Sequence, residues 1–393
     1  MRRTDLSPER QKLLVPLASH QGAYALVPPS TPLNLDLPLL EVRRAHEALG
    51  LLRASVASLP NRYLVTRTFD RREAVRSSQI EGTGSDIDDV LTFEATGSDK
   101  GLLPDVIVTL NYVKALECGL HEVAGHGVKA LTIELIEKLH GRLMDGVRDY
   151  QDVPGQIRHR QNWIDGVRIY DAKFVPPPPD RVRACLEDLL RVLQYQATEE
   201  SSYEVSLVIR LAIVHAQFET IHPFMDGNGR VGRILLPLML AAEGYPPVYL
   251  AGFLKANQDI YYQTLEQVQL RGEWTDWVRF LATGVEIACR ESIGIARELI
   301  DIAARWKAVL ATLNLRSHSA VNRLPDYLMG TPVVSVKRVA EDLGVNFTAA
   351  NRALDHLRGL GIVELAGDGK RNRIFTAREI IEVLSRPTEA ERY

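Results

Sequence analysis

The chain has 393 residues, 46% of them hydrophobic, and a formal net charge of −3. That is enough for two or three domains with large cores, and the charge excludes a global basic field for nucleic acid. Cys118, Cys185 and Cys289 are far apart and odd in number, which excludes a disulfide framework or zinc site and fits reduced thiols.

No apolar run reaches about 18 residues, so no membrane span is expected. The run Leu13 to Ala18 is short and broken by Pro16, so no secretory leader is expected and a cytoplasmic location is. Residues 1–38 carry Pro8, Pro16, Pro28, Pro29, Pro32 and Pro38 and predict an irregular arm. Residues 39–58 place Leu40, Ala45, Ala48, Leu51 and Leu52 on one side of a helix. A second helix is expected over about 70–82, with Asp70 and Glu73 as a capping box and Gly82 and Gly84 as stop signals. Ser77-Ser78-Gln79-Ile80-Glu81-Gly82 lies at its end. A carboxylate there is disfavoured by the helix dipole, so Glu81 needs a compensating partner.

Helices follow over 85–96, 103–123 and 132–144, the last with Ile133, Ile136, Leu139 and Leu143 as its apolar face. His140 on that helix is expected to be a surface or packing residue rather than a ligand. Gln161-Asn162-Trp163-Ile164 and Val167-Arg168-Ile169-Tyr170 flank Asp165-Gly166. An Asp-Gly pair between such runs predicts a β-hairpin, because its turn needs φ > 0. Residues 176–179 are all proline and stiffen the link to a helix over 180–196. Helical spacing resumes over 204–218, with Val205, Val208, Ile209, Ala212, Ile213 and Ala216.

The densest chemistry is His222-Pro223-Phe224-Met225-Asp226-Gly227-Asn228-Gly229-Arg230-Val231-Gly232-Arg233. Flexible glycines beside arginines suit an anionic ligand, and the apolar stretch 230–242 makes the loop feed a helix N-terminus, which favours phosphate. Pro237 inside that stretch should kink the helix or remove a bond. Gly227 to Gly232 formally matches the dinucleotide fingerprint, but that fingerprint needs a preceding strand and here a helical pattern precedes it. The P-loop ending is absent. A plain helix–loop–helix corner would explain the glycines but not a His, an Asp and two Arg beside them.

Downstream, residues 254–265 hold the pair Tyr261-Tyr262, the last core helix covers 277–289, and 291–313 reads as a helical connector. Residues 335–345 read as helix and turn, 346–360 as a second helix, and 362–365 and 373–375 as two short strands. From Arg358 to Arg378 there are five Lys/Arg against two Asp/Glu, a small basic surplus.

The stretch His222 to Arg233 resembles the Fic family signature, His-x-Phe-x-Asp/Glu-Gly-Asn-Gly-Arg-x-x-Arg, at every specified position. The resemblance covers roughly residues 39–289. It implies a mainly α protein: a Fic-type helical core with a β-hairpin flap, plus a C-terminal winged helix-turn-helix domain. The division expected is 1–125 (arm and helical region with the inhibitory helix), 126–290 (catalytic core), 291–324 (connector) and 325–393 (winged-helix module). Most family members with the full signature transfer AMP from ATP to a protein hydroxyl. The resemblance therefore implies ATP and Mg²⁺, a target with a Ser, Thr or Tyr hydroxyl, and the protein itself as a target.

By position, His222 would be the general base, since an imidazole suits neutral pH, and Pro223 would keep it out of the helical region. Asp226 would hold Mg²⁺. Asn228 and the N–H groups of Gly227 and Gly229 would stabilise phosphoryl oxygens, with Arg230 and Arg233 on the β- and γ-phosphates. Phe224 would plug the core, and Val231 and Ile234 would anchor the helix. Tyr261 or Tyr262 would line the adenine pocket. Gln161, Asn162, Trp163 and Ile164 would form a flap that holds the target by strand addition. Ser77-x-x-x-Glu81-Gly82 resembles the family's inhibitory motif, in which Glu81 would take Arg233 from the γ-phosphate. Removal of AMP or other phosphate-group transfer at the same site are alternatives, as is a DNA-binding regulator with a vestigial core. The candidate recognition helix begins Asn346-Phe347-Thr348 without a basic residue, so DNA binding is not favoured. Protein contact or dimerisation, and with it a homodimer, is the competing use of that module.

Overall fold

The computed structural model describes residues 1–29, 37–57, 62–148, 150–196, 205–313, 319–366 and 373–388, with only the backbone at 62–65. They are mainly helical and fall into two units, one of Met1–Arg53 with Asn111–Cys289 and one of Ala54–Leu110 with Arg290–Thr388. Among the described residues no helix is long and apolar enough to cross a membrane.

The first unit is built round the helix Leu207–Ile221, whose residues are all buried. A helix that is apolar on nearly every side has no face to give to water and becomes the centre of a bundle. Pro179–Leu193 and Asn228–Ala242 pack along it, and Gln258–Arg271 closes another side. The Trp277 indole N–H donates to the Ala212 carbonyl at 2.8 Å, tying in the helix Thr275–Ala311. That helix runs unbroken where a core helix and a separate connector were expected. It contains no proline, and its Gly284 is a contact point: a Cβ there would lie 2.6 Å from Phe253. Pro237 likewise sits inside Asn228–Ala242 without ending it.

The proline-rich arm is more ordered than expected. Leu14–Pro16 pairs antiparallel with Tyr24–Leu26, Leu14 opposite Leu26. Leu17, Ala23 and Ala25 pack with Ile169, Ala172 and Val175.

In the second unit the helix Arg62–Ile80 begins well before the expected start at Asp70. No glycine or proline interrupts residues 62–69, so the helix propagates back through the cap signal, and Asp70 and Glu73 are buried in its body. Arg71 donates to Glu94 at 2.9 Å. Towards the C-terminus, Val336–Leu343 is capped by Ser335 and ended by left-handed Gly344, and Phe347–Gly359 is capped by Asn346. Glu364–Ala366 and Ile374–Thr376 fall close to the two expected strands, and Val333–Ser335, which was not anticipated, pairs on the other side of Ile374–Thr376.

One apolar cluster joins Val75, Ile87, Val90, Leu91, Val106 and Leu110 to Val333 and Ile381. Ile381 is 2% exposed. Truncating Ile381 to Ala should therefore cost ~2–5 kcal/mol, from lost transfer energy and the cavity left behind. Urea unfolding should show a lower midpoint, and a change below about 0.5 kcal/mol would mean that this cluster is not close-packed.

Candidate active site

His222 is the residue after the end of the central helix. It takes the left-handed conformation, φ 50° and ψ 62°, while its N–H still bonds to the Phe218 carbonyl at 2.9 Å. Pro223 closes the right-handed region to it, as expected, and the positive φ turns the ring off the helix axis. Its Nδ1 lies 3.3 Å from the Glu219 carbonyl and 3.9 Å from a Glu219 carboxylate oxygen. Both are acceptors, so the proton belongs on Nδ1 and the lone pair on Nε2, the arrangement a general base needs. Glu219 fits there because the next helix approaches through Gly232, where a Cβ would come within 2.6 Å of its carboxylate.

The loop after His222 is clamped from two sides. The Asn228 side chain accepts from the Phe224 N–H at 2.8 Å and donates to the Phe224 carbonyl at 2.9 Å. Its amide therefore closes the loop, and what it offers a phosphate is its backbone N–H at the start of Asn228–Ala242. Arg158, 3% exposed, donates from Nε to the His222 carbonyl at 2.8 Å and from Nη2 to the Pro177 carbonyl at 2.6 Å. Burial lowers its pKa to about 10, and it remains a cation at neutral pH on the C-terminal carbonyls of the central helix. Asn162 adds a bond to the Phe224 carbonyl at 2.9 Å. Phe224 is fully buried, the expected plug, and stacks parallel on His140 with centroids 3.7 Å apart. Val231 and Ile234 are buried behind it.

The anion-facing end is a helix N-terminus. Gly227 is its N-cap at φ 77°, and Gly229 lies in the first turn without needing a positive φ. Arg230 and Arg233 are 6% and 1% exposed. Arg230 lies 3.7 Å from the Asp226 carboxylate, which is 66% exposed. Gly227 N–H is capped by that carboxylate at 2.6 Å. The site thus gathers an imidazole, a carboxylate, the Arg230 guanidinium and the N–H groups of a first turn, with Arg233 buried in the following turn. Such a set can bind a polyphosphate and take a proton beside it.

The flap corrects the hairpin expectation. Asp165 and Gly166 do take positive φ, 55° and 83°, but Val167-Arg168-Ile169-Tyr170 does not return as a strand. It tightens into the short 3₁₀ turn Ile169–Asp171, and Ile164 pairs with Phe174. Val167 and Tyr170 are exposed, Ile169 is drawn into the cluster under the arm, and Arg168 bonds to Asp171 at 2.9 Å. Gln161 and Asn162, expected as target-docking residues, are buried. Gln161 donates to the Pro176 carbonyl at 3.0 Å. Trp163 and Ile164 are part-exposed. Trp163 and Met225 line a groove of about 1060 Å³ with Leu17 and His20 of the arm.

The tyrosine pair separates. Tyr261 is 1% exposed, its hydroxyl 2.8 Å from His215 Nε2, whereas Tyr262 is 45% exposed. Tyr261 belongs to an aromatic core with Trp277 and Phe280. Burial, then the Arg233 charge, lowers the His215 pKa to about 3, so that imidazole is neutral. Ser77 and Glu81 lie in the second unit: Ser77 is fully buried, and Glu81 is exposed in the turn after the Arg62–Ile80 helix.

Reading residue by residue missed the roles of Arg158, Glu219 and His140. An available signal for His140 was its place on the apolar face, four residues after Ile136 and three before Leu143, where a polar ring needs partners.

Residues 130–240 match the sequence model of the Fic/DOC family, and residues 39–121 match that of the Fic/DOC family N-terminal region. The chain is 30% identical over 171 residues to the protein adenylyltransferase fic-1 of Caenorhabditis elegans, covering 44% of this chain and 30% of the worm protein. It is 31% identical over 156 residues to the protein adenylyltransferase Fic of Drosophila virilis, covering 40% of this chain and 29% of the fly protein. The matches thus span less than a third of the length of these relatives. A Fic family protein from Desulfovibrio desulfuricans G20 superposes with a TM-score of 0.50 at 20% identity, over 88% of this chain and 98% of that one. A Fic domain containing signaling protein from Bacteroides thetaiotaomicron gives 0.51 at 20% identity, over 65% and 97%.

Proposed function

We propose that this chain, which belongs to the Fic/DOC family, is an enzyme that transfers AMP from ATP to a hydroxyl side chain of a target protein, itself included. The observation that carries the reading is the contiguity of base and anion site. His222 ends one buried helix, and six residues later the next helix begins, with two buried guanidiniums in its first two turns. Nε2 takes the proton of the target hydroxyl as its oxygen bonds to the α-phosphorus. The bond to the β-phosphate bridging oxygen breaks, and pyrophosphate leaves against Arg230 and Arg233.

The donor set fits Mg²⁺. Among the described residues no three His, Cys, Asp or Glu side chains gather into a cage. A single exposed carboxylate, Asp226, suits an ion that takes its other ligands from substrate phosphates and water. Bound there, the ion would neutralise developing charge on the phosphates. Tyr262, the exposed tyrosine of the pair, is the one that would meet an adenine. The groove beside Trp163 and Met225 is where a target segment would lie. The Ser77-x-x-x-Glu81-Gly82 motif supports a further part of the reading: Glu81 holds transfer down in the resting protein.

The C-terminal residues are read as a winged helix used for protein contact. Lys370 and Arg371 of its basic surplus lie outside the described residues, and Arg373 is held by Asp355 at 2.7 Å and by Asn351. A guanidinium committed to the same domain's carboxylate adds little to a phosphate interface.

The test is to incubate purified protein with labelled ATP and cell lysate, and in parallel to titrate it against a random DNA pool at physiological salt. Label should appear on protein bands, the chain itself among them, and no sequence should be selected from the pool. Selection of a tight DNA sequence with no protein labelling would replace this reading with the regulator.

A further inference from the structure

We propose that His140 is the positioning residue of the anion loop: it fixes the plane of the Asp226–Gly227 peptide and so aims the Gly227 N–H and the Asp226 carboxylate at the nucleotide. The inference rests on the nucleotide-transfer reading for what the loop binds, and on geometry for how the loop is held.

His140 sits on the helix Ile133–Leu143 and is fully buried. Both ring nitrogens are used. The Gly155 N–H donates to Nδ1 at 2.9 Å, so Nδ1 carries the lone pair. The Asp226 carbonyl beside the other nitrogen can only accept, so the ring proton is on Nε2. Nε2 lies 3.1 Å from the Asp226 carbonyl and donates to it. A backbone N–H thus sets the tautomer, and the tautomer sets the bond to the loop.

The consequence follows from peptide planarity. In a trans peptide the C=O and the next N–H point in opposite directions. Holding the Asp226 carbonyl against His140 turns the Gly227 N–H away, into the loop. There it meets Asp226 Oδ1 at 2.6 Å, a carboxylate oxygen that a phosphoryl oxygen would replace when Asp226 turns to a metal ion. The ring is also wedged in place. Phe224 stacks on one face at 3.7 Å, and a Cβ on Gly227 would come within 3.5 Å of His140 Cδ2. A phenylalanine would fill the same volume and keep the stack. It would leave the Asp226 carbonyl without its donor.

The experiment compares H140F, H140Q and H140N in the full chain. H140F keeps ring and volume and has no donor. H140Q places an amide N–H near the Nε2 position, and H140N keeps only an acceptor near Nδ1. H140F is expected to lower kcat for AMP transfer by roughly 10²-fold, the scale of a misaligned reacting group, with KM for ATP changed only a few-fold. H140Q should recover most of the loss and H140N should not. An amide spectrum gives a readout independent of transfer: adding Mg²⁺ and ADP should shift the Gly227 resonance in wild type and H140Q, but not in H140F. If H140F fails to fold, the order of H140Q above H140N still decides. Equal rates in all three variants, or an unchanged Gly227 response in H140F and H140N, would overturn the proposal. A wild type that transfers no AMP, yet shows the His140-dependent Gly227 shift, would uphold the positioning and reject the transfer reading.

Discussion

Replacing His222 with Ala is expected to cut AMP transfer by about 10²–10⁴, the usual worth of a general base, while ATP binding stays close to wild type. The reason is the division of labour in the loop. On the proposed reading the phosphate groups would be met by the first turn of Asn228–Ala242 and by the buried Arg230 and Arg233, none of which needs the imidazole. What is lost is Nε2, which carries the lone pair when Nδ1 donates toward the carbonyl and a carboxylate oxygen of Glu219. The substitution also has a conformational side. His222 is left-handed, a region in which His, Asn and Asp occur more readily than Ala although all carry a Cβ. Asn tolerates that region better, so His222→Asn removes the base with less strain. Both variants should lose transfer alike, and His222→Ala should in addition unfold at lower denaturant. Labelled-ATP transfer and calorimetric ATP titration measure the two halves. A wild-type transfer rate in His222→Asn would remove His222 from the mechanism.

The second large effect is expected in the opposite direction. Glu81→Gly should raise AMP transfer and self-labelling by an order of magnitude or more. Glu81 follows a helix end, where its own dipole disfavours a carboxylate, and Gly82 takes φ 91° just after it. An exposed Glu–Arg pair is worth only ~0–1 kcal/mol, less than the 1.4 kcal/mol of a tenfold restraint. The proposed restraint therefore requires a partly desolvated cation, for which loss of a counter-charge can cost ~3–5 kcal/mol. ATP brings replacement negative charge, so that cost falls on the empty protein and not on the complex. The variant should therefore be modestly less stable without nucleotide and more active with it. Adding Arg233→Ala should erase the gain, because on the proposed reading this guanidinium is the one that takes the γ-phosphate. Unchanged or lower transfer by a folded Glu81→Gly protein supplied with target would end the restraint hypothesis. If removal of AMP is instead the dominant activity, this variant should lose it.

What the amino-acid order determined by itself lies within short windows. The chemistry of His222 to Arg233 was legible because base, carboxylate, glycines and arginines follow one another on one loop and one helix start. Left-handed Gly227 and the clearance of His222 from the helix follow from Gly and Pro stereochemistry alone. So do the stop at Gly344 and the cap at Asn346, where a side chain bonds an N–H three residues on. Tertiary structure decided the rest wherever the deciding partner was distant. The Asp70 cap signal was overridden because no glycine or proline interrupts residues 62–69 and the helix propagates back through it. The Asp165-Gly166 turn formed, but its return arm was taken by the cluster under the N-terminal arm, and only Tyr262 of the tyrosine pair was left outside the aromatic core. His140 reaches the loop across 86 residues and Arg158 reaches His222 across 64. No pattern of spacing encodes such a contact, because it exists only after the helices pack and leave a buried polar atom that some side chain must satisfy.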